Sequence, residues 1–296
     1  MTGMNRGKVL EGSGRDAPAG AQDTASEAAA YQQFCAFLER ASGITLGTGK
    51  EYLVRSRLSR VFEEMGTERL VDVVNALEAD RPLGLRLRVI DAMTTNETLW
   101  FRDVHPFELL VTRLLPELEA AGKPLVRCWS AACSTGQEAY SISMVVSEYQ
   151  AMRPRASMPR VEIVGTDISP SVLAQAQRAE YEEFELTRGL SEERLRRHFD
   201  DVGRRRRVRE EVRGRCSFRE LNLLGSFSLL GRFDLVFCRN VLIYFSPATR
   251  QDILARIAGQ MHPGACLLLG GSEPVSHYSE WFELQRYPRG VFYRRR

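Results

Sequence analysis

The 296 residues are 44% hydrophobic and 27% charged with a formal net charge of +3 at pH 7, the balance of a globular protein large enough for one α/β domain and a smaller one. No apolar run reaches bilayer length, so small net charge and modest hydropathy exclude a membrane-spanning chain and give no sign of nucleic-acid binding. Cys35, Cys128, Cys133, Cys216, Cys238 and Cys266 contain no CxxC pair and are expected as buried thiols in a reducing compartment, with no metal site and no disulfide. The opening residues, rich in Gly, Ala, Ser and Thr, read as a disordered leader over 1–28 rather than a signal peptide, which makes the expected location cytoplasmic.

Apolar spacing near 3.6 residues then predicts helices over 31–39, 50–65, 69–78 and 83–93, with no strand signal, as a small helical domain over 29–95. On the second helix Val54, Leu58, Val61 and Met65 share a stripe, and Lys50, Arg57 and Arg60 run along its flank. A linker motif and helix occupy 96–122. From 123 to 296 short apolar strands alternate with helices, the mark of a parallel sheet. The strands are expected over 125–131, 161–165, 216–221, 233–238 and 265–269, and a hairpin closes the chain over 282–294. Helices are expected over 137–150, from Ser169-Pro170 onward, and over 191–199 and 247–261. Between 203 and 219, eight arginines in seventeen positions face only Glu210 and Glu211. That ribbon reads either as solvated surface or as a dock for an acidic partner.

Several residues could do chemistry. The stretch SAACSTGQEAYS (130–141) is a strand-to-helix turn of small side chains that lets backbone approach a nucleotide-like ligand, although it lacks the full GxGxxG spacing. Asp167 ends the second strand, where a carboxylate can accept from a ribose diol or cap the next helix. Glu138, in the first turn of a helix, either complements the helix dipole or binds a ligand amino group. Arg239, Asn240 and Tyr244 follow the fourth strand, and ligands of open parallel sheets bind outside the carboxyl ends of strands.

Taken in order, TTNETLWFRD (94–103), SAACSTGQEAYS, GTDIS (165–169) and CRNVLIYF (238–245) resemble the motifs of the chemotaxis-receptor glutamate methyltransferase family, CheR, over residue 31 to the end. The resemblance implies an α/β class I S-adenosylmethionine-dependent methyltransferase with a Rossmann-like sheet. It adds a small N-terminal all-helical domain and an inserted β-subdomain at about 200–219. It implies cofactor contacts at Asn96, Thr98, Arg102, Glu138, Asp167, Asn222, Leu223, Arg239 and Asn240, with Glu138 at the methionine end, Asp167 on the ribose and Asn222-Leu223 flanking the adenine. Arg102 and Tyr244 fall at the methyl-transfer centre, with a structural tie of Arg102 to Asp103 or Asp167 as the other reading. The expected reaction converts glutamate side chains of chemoreceptors to methyl esters, leaving S-adenosylhomocysteine and using no metal. The acidic helical bundle of the receptor would dock on Lys50, Arg57 and Arg60. Gln137 and Ala139 stand where the family more often has an acidic residue and a proline, and the short ribbon favours bundle recognition without a receptor-tail tether. Two other functions remain open at this point. One is a nucleic-acid or small-molecule methyltransferase, opposed by the absence of a proline pair after Asn240. The other is a non-catalytic module sensing the cofactor or a nucleotide.

Overall fold

The computed structural model describes residues 19–79, 81–154, 159–273 and 280–296. The helical unit consists, among the described residues, of α1 (Ala19–Ser42), α2 (Glu51–Arg57), α3 (Ser59–Met65), α4 (Leu70–Glu78) and α5 (Leu85–Met93). Its core follows from spacing: Tyr31, Phe34 and Leu38 of α1 meet Leu70, Val73, Val74 and Leu77 of α4, all buried. The single helix expected over 50–65 is bent in two at Leu58 (φ −89°, ψ 6°). The Leu58 amide still donates to the Val54 carbonyl at 2.9 Å and its carbonyl accepts from Phe62 at 2.9 Å. The bend keeps Val54, Leu58, Val61 and Phe62 all buried against the same core. Most of the leader expected over 1–28 lies outside the described residues; the rest of it, from Ala19, belongs to α1. No helix of the described residues is long and apolar enough to cross a membrane.

An irregular segment over 94–104 leads from α5 into α6 (His105–Leu109), a π turn (Leu110–Leu114) and α7 (Leu115–Ala120). Then come β1 (Leu125–Ala131), α8 (Gln137–Met152), β2 (Arg160–Asp167) and α9 (Pro170–Arg178). An excursion follows: β3 (Glu180–Tyr181), α10 (Glu183–Leu186), α11 (Glu192–His198), β4 (Phe199–Val202) and β5 (Arg205–Val208). The chain returns through α12 (Glu210–Arg213) to β6 (Cys216–Glu220), β7 (Phe233–Cys238), α13 (Pro247–Gly259), β8 (Met261–Leu269), β9 (Phe282–Tyr287) and β10 (Gly290–Arg295).

Among the described residues the main sheet has seven strands in the order β6-β2-β1-β7-β8-β10-β9. β6, β2, β1, β7 and β8 run parallel, and β10 and β9 close the edge antiparallel. Alternation along β1 sends Val126 and Cys128 into one core layer, and Trp129 and Ala131 into the other. The register sets Ala131 beside both Thr166 and Cys238, so the carboxyl ends of β1, β2 and β7 form one rim. The strand order reverses between β1 and β7, where an open sheet leaves a crevice. β8 begins earlier than the expected 265: Gly264 (φ +78°) is an irregularity inside it, and pairing with β7 jumps from Phe233–Met261 to Leu235–Cys266.

The inserted β-subdomain overlaps the expected 200–219 through β4 and β5 but has other bounds. Its sheet, β3-β5-β4 in order among the described residues, starts at Glu180, whereas residues from Glu210 onward already rejoin the main body. Its anchors are Tyr181 and Phe199, whose rings meet the buried Trp100 edge-on with centroids at 4.9 and 5.3 Å. The arginine ribbon is also not a free basic surface. Antiparallel pairing brings Glu180 to Arg207 and Asp201 to Arg206, and Glu182, Asp200 and Glu210 pair with Arg205, Arg209 and Arg213.

Candidate active site

The crevice at the strand reversal is roofed by the helical unit and the 94–104 segment, giving a cleft of about 1020 Å³ counted to its open mouth, enough for a ligand of nucleotide size. Asn96, Thr98, Arg102, Glu138, Asp167, Asn222, Leu223, Arg239, Asn240 and Tyr244 all line it. Lys50, Arg57 and Arg60 do not.

Small residues make the turn after β1. Ala132 (φ +58°), Ser134 (φ +49°) and Gly136 (φ +94°) each take left-handed backbone. At Gly136 a Cβ would come to 3.0 Å from Ala176 Cβ and 3.2 Å from the Tyr140 ring, so only glycine seats α8 this close to α9. Tyr181 of the β-subdomain donates to the Thr135 carbonyl at 2.6 Å and braces the turn from outside. Asp167 accepts Ser134 N–H at 2.8 Å on one oxygen and Ser169 N–H at 3.0 Å on the other, while Ser169 itself caps α9. Each carboxylate oxygen keeps lone-pair capacity towards the cleft. Burial pushes the Asp167 carboxyl above its ordinary value, against the opposing pull of the Ser169 and Ser134 amides.

Arg239 is the electrostatic knot. Its side chain, 1% exposed, donates to Glu138 at 2.9 Å, to Asp103 at 2.7 Å and to the Arg102 carbonyl at 2.7 Å. Glu138 also accepts the Ser130 hydroxyl at 2.7 Å. Arg239 thereby ties β7 to α8 and to the interdomain segment. Its Nε, and Oδ1 of the neighbouring Asn240, are buried without a partner among the described residues.

Arg102 is held differently from the structural tie considered above. Asp103 is taken by Arg239 and Asp167 by backbone amides, and the Arg102 guanidinium donates to the Glu97 carbonyl at 3.1 Å. Phe101 (φ +50°), Asp103 (φ +67°) and the β-branched Val104 (φ +50°) hold backbone conformations that cost about 1–3 kcal/mol each. The β-subdomain sustains them. Trp100 N–H donates to the Arg188 carbonyl at 3.1 Å, and Arg194, paired with Glu148 at 2.9 Å, lies 3.8 Å over the Phe101 ring.

Two expected residues act otherwise than sequence suggests. The Asn222 amide donates to the Ala41 carbonyl at 2.7 Å and accepts the Leu224 amide at 2.9 Å. Its side chain therefore joins the helical unit to the sheet, while Asn222 and Leu223 both line the cleft. Arg57 donates to the Met93 and Thr94 carbonyls at the end of α5 and to the Thr95 hydroxyl. It anchors the interdomain segment instead of standing free for docking, whereas Lys50 and Arg60 are exposed. Tyr244, half-buried at the mouth, has its carbonyl held by the Thr45 amide at 3.0 Å. Sequence reasoning missed Glu273, a buried carboxylate just past β8. The signal was an acid four residues after the end of an apolar strand, beyond Gly270-Gly271-Ser272.

A parallel sheet in this order, with a small-residue turn after its first strand and a buried acid ending its second, defines a class I S-adenosylmethionine-dependent methyltransferase fold. The all-alpha domain of CheR methyltransferases matches residues 29–94, and the CheR methyltransferase SAM-binding domain matches residues 96–291. The chain belongs to the CheR methyltransferase family. It is 48% identical over 266 residues to chemotaxis protein methyltransferase 1 of Pseudomonas aeruginosa, covering 89% of this chain and 97% of that one. Chemotaxis protein methyltransferase 1 of Vibrio cholerae is 46% identical over 265 residues, covering 89% and 96%.

Proposed function

We propose that this chain is a cytoplasmic protein-glutamate O-methyltransferase that esterifies glutamate side chains of chemotaxis receptors from S-adenosylmethionine, releasing S-adenosylhomocysteine. The observation that carries the reading is the division of charge at the cleft. Arg239 is shared as an ion-pair partner by Glu138 and Asp103, while Arg102 keeps no carboxylate partner among the described residues. An anionic acceptor is drawn to that cation, and a cationic amine is not. The working parts are a helical domain over 29–95, the linker over 96–122 and the methyltransferase domain from 123.

The cleft suits the methyl donor. Its amino-acid end brings donors and an anionic acceptor to a site holding an unpartnered acceptor, Asn240 Oδ1, and an unpartnered donor, Arg239 Nε; Asp167 can accept from its ribose and Leu223 can flank its adenine. S-Adenosylmethionine bound there supplies a sulfonium-activated methyl, so that a carboxylate C–O bond forms as the C–S bond breaks and no proton moves. The acceptor glutamate is already ionised, its ordinary pKa being about 4.3. Arg102 and Tyr244 then have one task, to hold the carboxylate oxygen in line, and Asn96 and Thr98 close the cleft over it. Each ester removes one negative charge from the receptor.

The test is transfer of tritiated methyl groups to receptor-bearing membranes, counted before and after mild base. Base-labile counts are expected, since esters hydrolyse and N-methyl groups do not. R102A and Y244F should lower turnover by about 10²-fold with little change in S-adenosylhomocysteine affinity. Base-stable counts, or none with the unmodified protein, would overturn the reading.

A further inference from the structure

Glu273 is a carboxylate only 7% exposed and, among the described residues, without a cationic partner. Three backbone amides take the place of one. Oε2 accepts from Gly270 at 2.8 Å and from Asn240 at 2.7 Å, and Oε1 accepts from Ile243 at 3.3 Å. Converging N–H donors satisfy both oxygens of the buried carboxylate without a counterion. Gly270 makes the convergence possible, because a Cβ there would stand 2.6 Å from Glu273 Oε2 and 2.9 Å from Asn240 N. One side chain thus ties the end of β8 to the loop after β7.

That loop carries the groups of the reaction. Asn240 sits at φ +59°, an uncommon backbone for a non-glycine residue, and its amide is the one Glu273 holds. Ile243 immediately precedes Tyr244 in the short 3-10 turn over Leu242–Tyr244. From the other side the Thr45 amide and hydroxyl, 3.0 and 3.1 Å away, hold the Tyr244 carbonyl. Tyr244 is therefore pinned between the helical unit and Glu273.

We propose that Glu273 is a positioning residue for methyl transfer: its Oε2 sets Asn240 and its Oε1, through Ile243, sets Tyr244. The inference deepens the methyltransferase reading and rests on it. The two oxygens have separable jobs, which makes the role testable. In E273Q the remaining oxygen can still serve Gly270 and Asn240, but the new amide faces the Ile243 N–H donor to donor. E273A loses all three bonds.

The experiment measures amide hydrogen exchange at Asn240 and Ile243, S-adenosylhomocysteine affinity by calorimetry, kcat for receptor methylation, and the melting temperature. For E273Q the expected result is Ile243 exchange faster by about tenfold or more with Asn240 still protected. Its kcat should fall about tenfold with ligand affinity within about threefold of the parent. E273A should lose protection at both amides and weaken ligand binding as well; if it fails to fold, E273Q alone carries the test. Parental exchange at Ile243 in E273Q would overturn the proposal, as would an unchanged kcat or a kcat loss matched by equal losses of affinity and melting temperature. Exchange needs no substrate. An unmodified protein that methylates no receptor would therefore sink the functional reading while the exchange data still decided this one.

Discussion

Replacing Arg239 by Gln tests whether the cleft is organised by charge neutralisation. The substitution leaves Glu138, 14% exposed at its side chain, and Asp103, 37% exposed, facing a cavity without their shared cation. Removing one partner of a buried pair costs about 3–5 kcal/mol. Glu138 meets that description, with only the Ser130 hydroxyl left to it, whereas solvent screens Asp103 enough that its share is at most about 1 kcal/mol. The net expectation is about 3 kcal/mol. For a chain of this size that lowers the melting temperature by about 6–12 °C. Thermal melts at pH 7 measure it, and E138Q in the R239Q background should restore half or more of the loss because the stranded charge is then gone. If R239Q melted within a degree of the parent and only ligand affinity fell, Arg239 would be a ligand contact and not the knot of the site.

Glu148 is pushed up by burial but held at about 2, against an ordinary 4.5, by hydrogen bonds from His198 and Arg194 and by the Arg194 charge. Because the folded value is the lower one, its stabilisation is complete above pH 4.5 and is lost as pH falls towards 2. Urea unfolding at pH 7 and pH 3 should show a smaller acid loss for E148Q than for the parent, and equal losses would refute the assignment. Asp167, raised by burial, takes up its proton at a higher pH than an ordinary aspartate, so S-adenosylhomocysteine affinity should weaken on acidification; D167N should flatten that dependence, which calorimetry between pH 4 and 8 reads. The paired reversal K50E/R60E should slow receptor methylation and reduce its salt dependence at an unchanged melting temperature. R57A should instead destabilise by about 1–2 kcal/mol through the lost carbonyl caps at the end of α5. Methylation by K50E/R60E at parental rate and salt dependence would remove that edge from docking.

The central strands were readable because both faces of the sheet are covered, which makes VEIVG and FDLVFC mostly apolar runs broken only by Glu162 and Asp234. The rim residues followed, since strand ends fix where a ligand binds whatever the loops do. What sequence could not show was pairing between distant segments. β3 is two residues long, below any period, so the subdomain's start at Glu180 left no trace. Asn222 meets Ala41 across a domain boundary, and its polar character gave no hint whether it would face ligand or fold.

The arginine ribbon is the sharpest case, because counting charges along the chain gave the wrong sum. Its acids sit on neighbouring strands and turns: Glu180 and Glu182 come before the ribbon's arginines in sequence, and Asp200 and Asp201 stand across the β4-β5 ladder from them. An acidic partner docking there would first have to displace those four carboxylates and Glu210, each in a surface pair worth at most about 1 kcal/mol yet together offsetting most of the attraction. Lys50 and Arg60, exposed on the edge of the helical unit, face weaker internal competition, Arg60 having only a 3.3 Å contact with Glu64. Whether an acidic receptor helix approaches along α2 and α3 is what the K50E/R60E measurement decides, since that substitution removes these cations and leaves the Thr45 hold on the Tyr244 carbonyl in place.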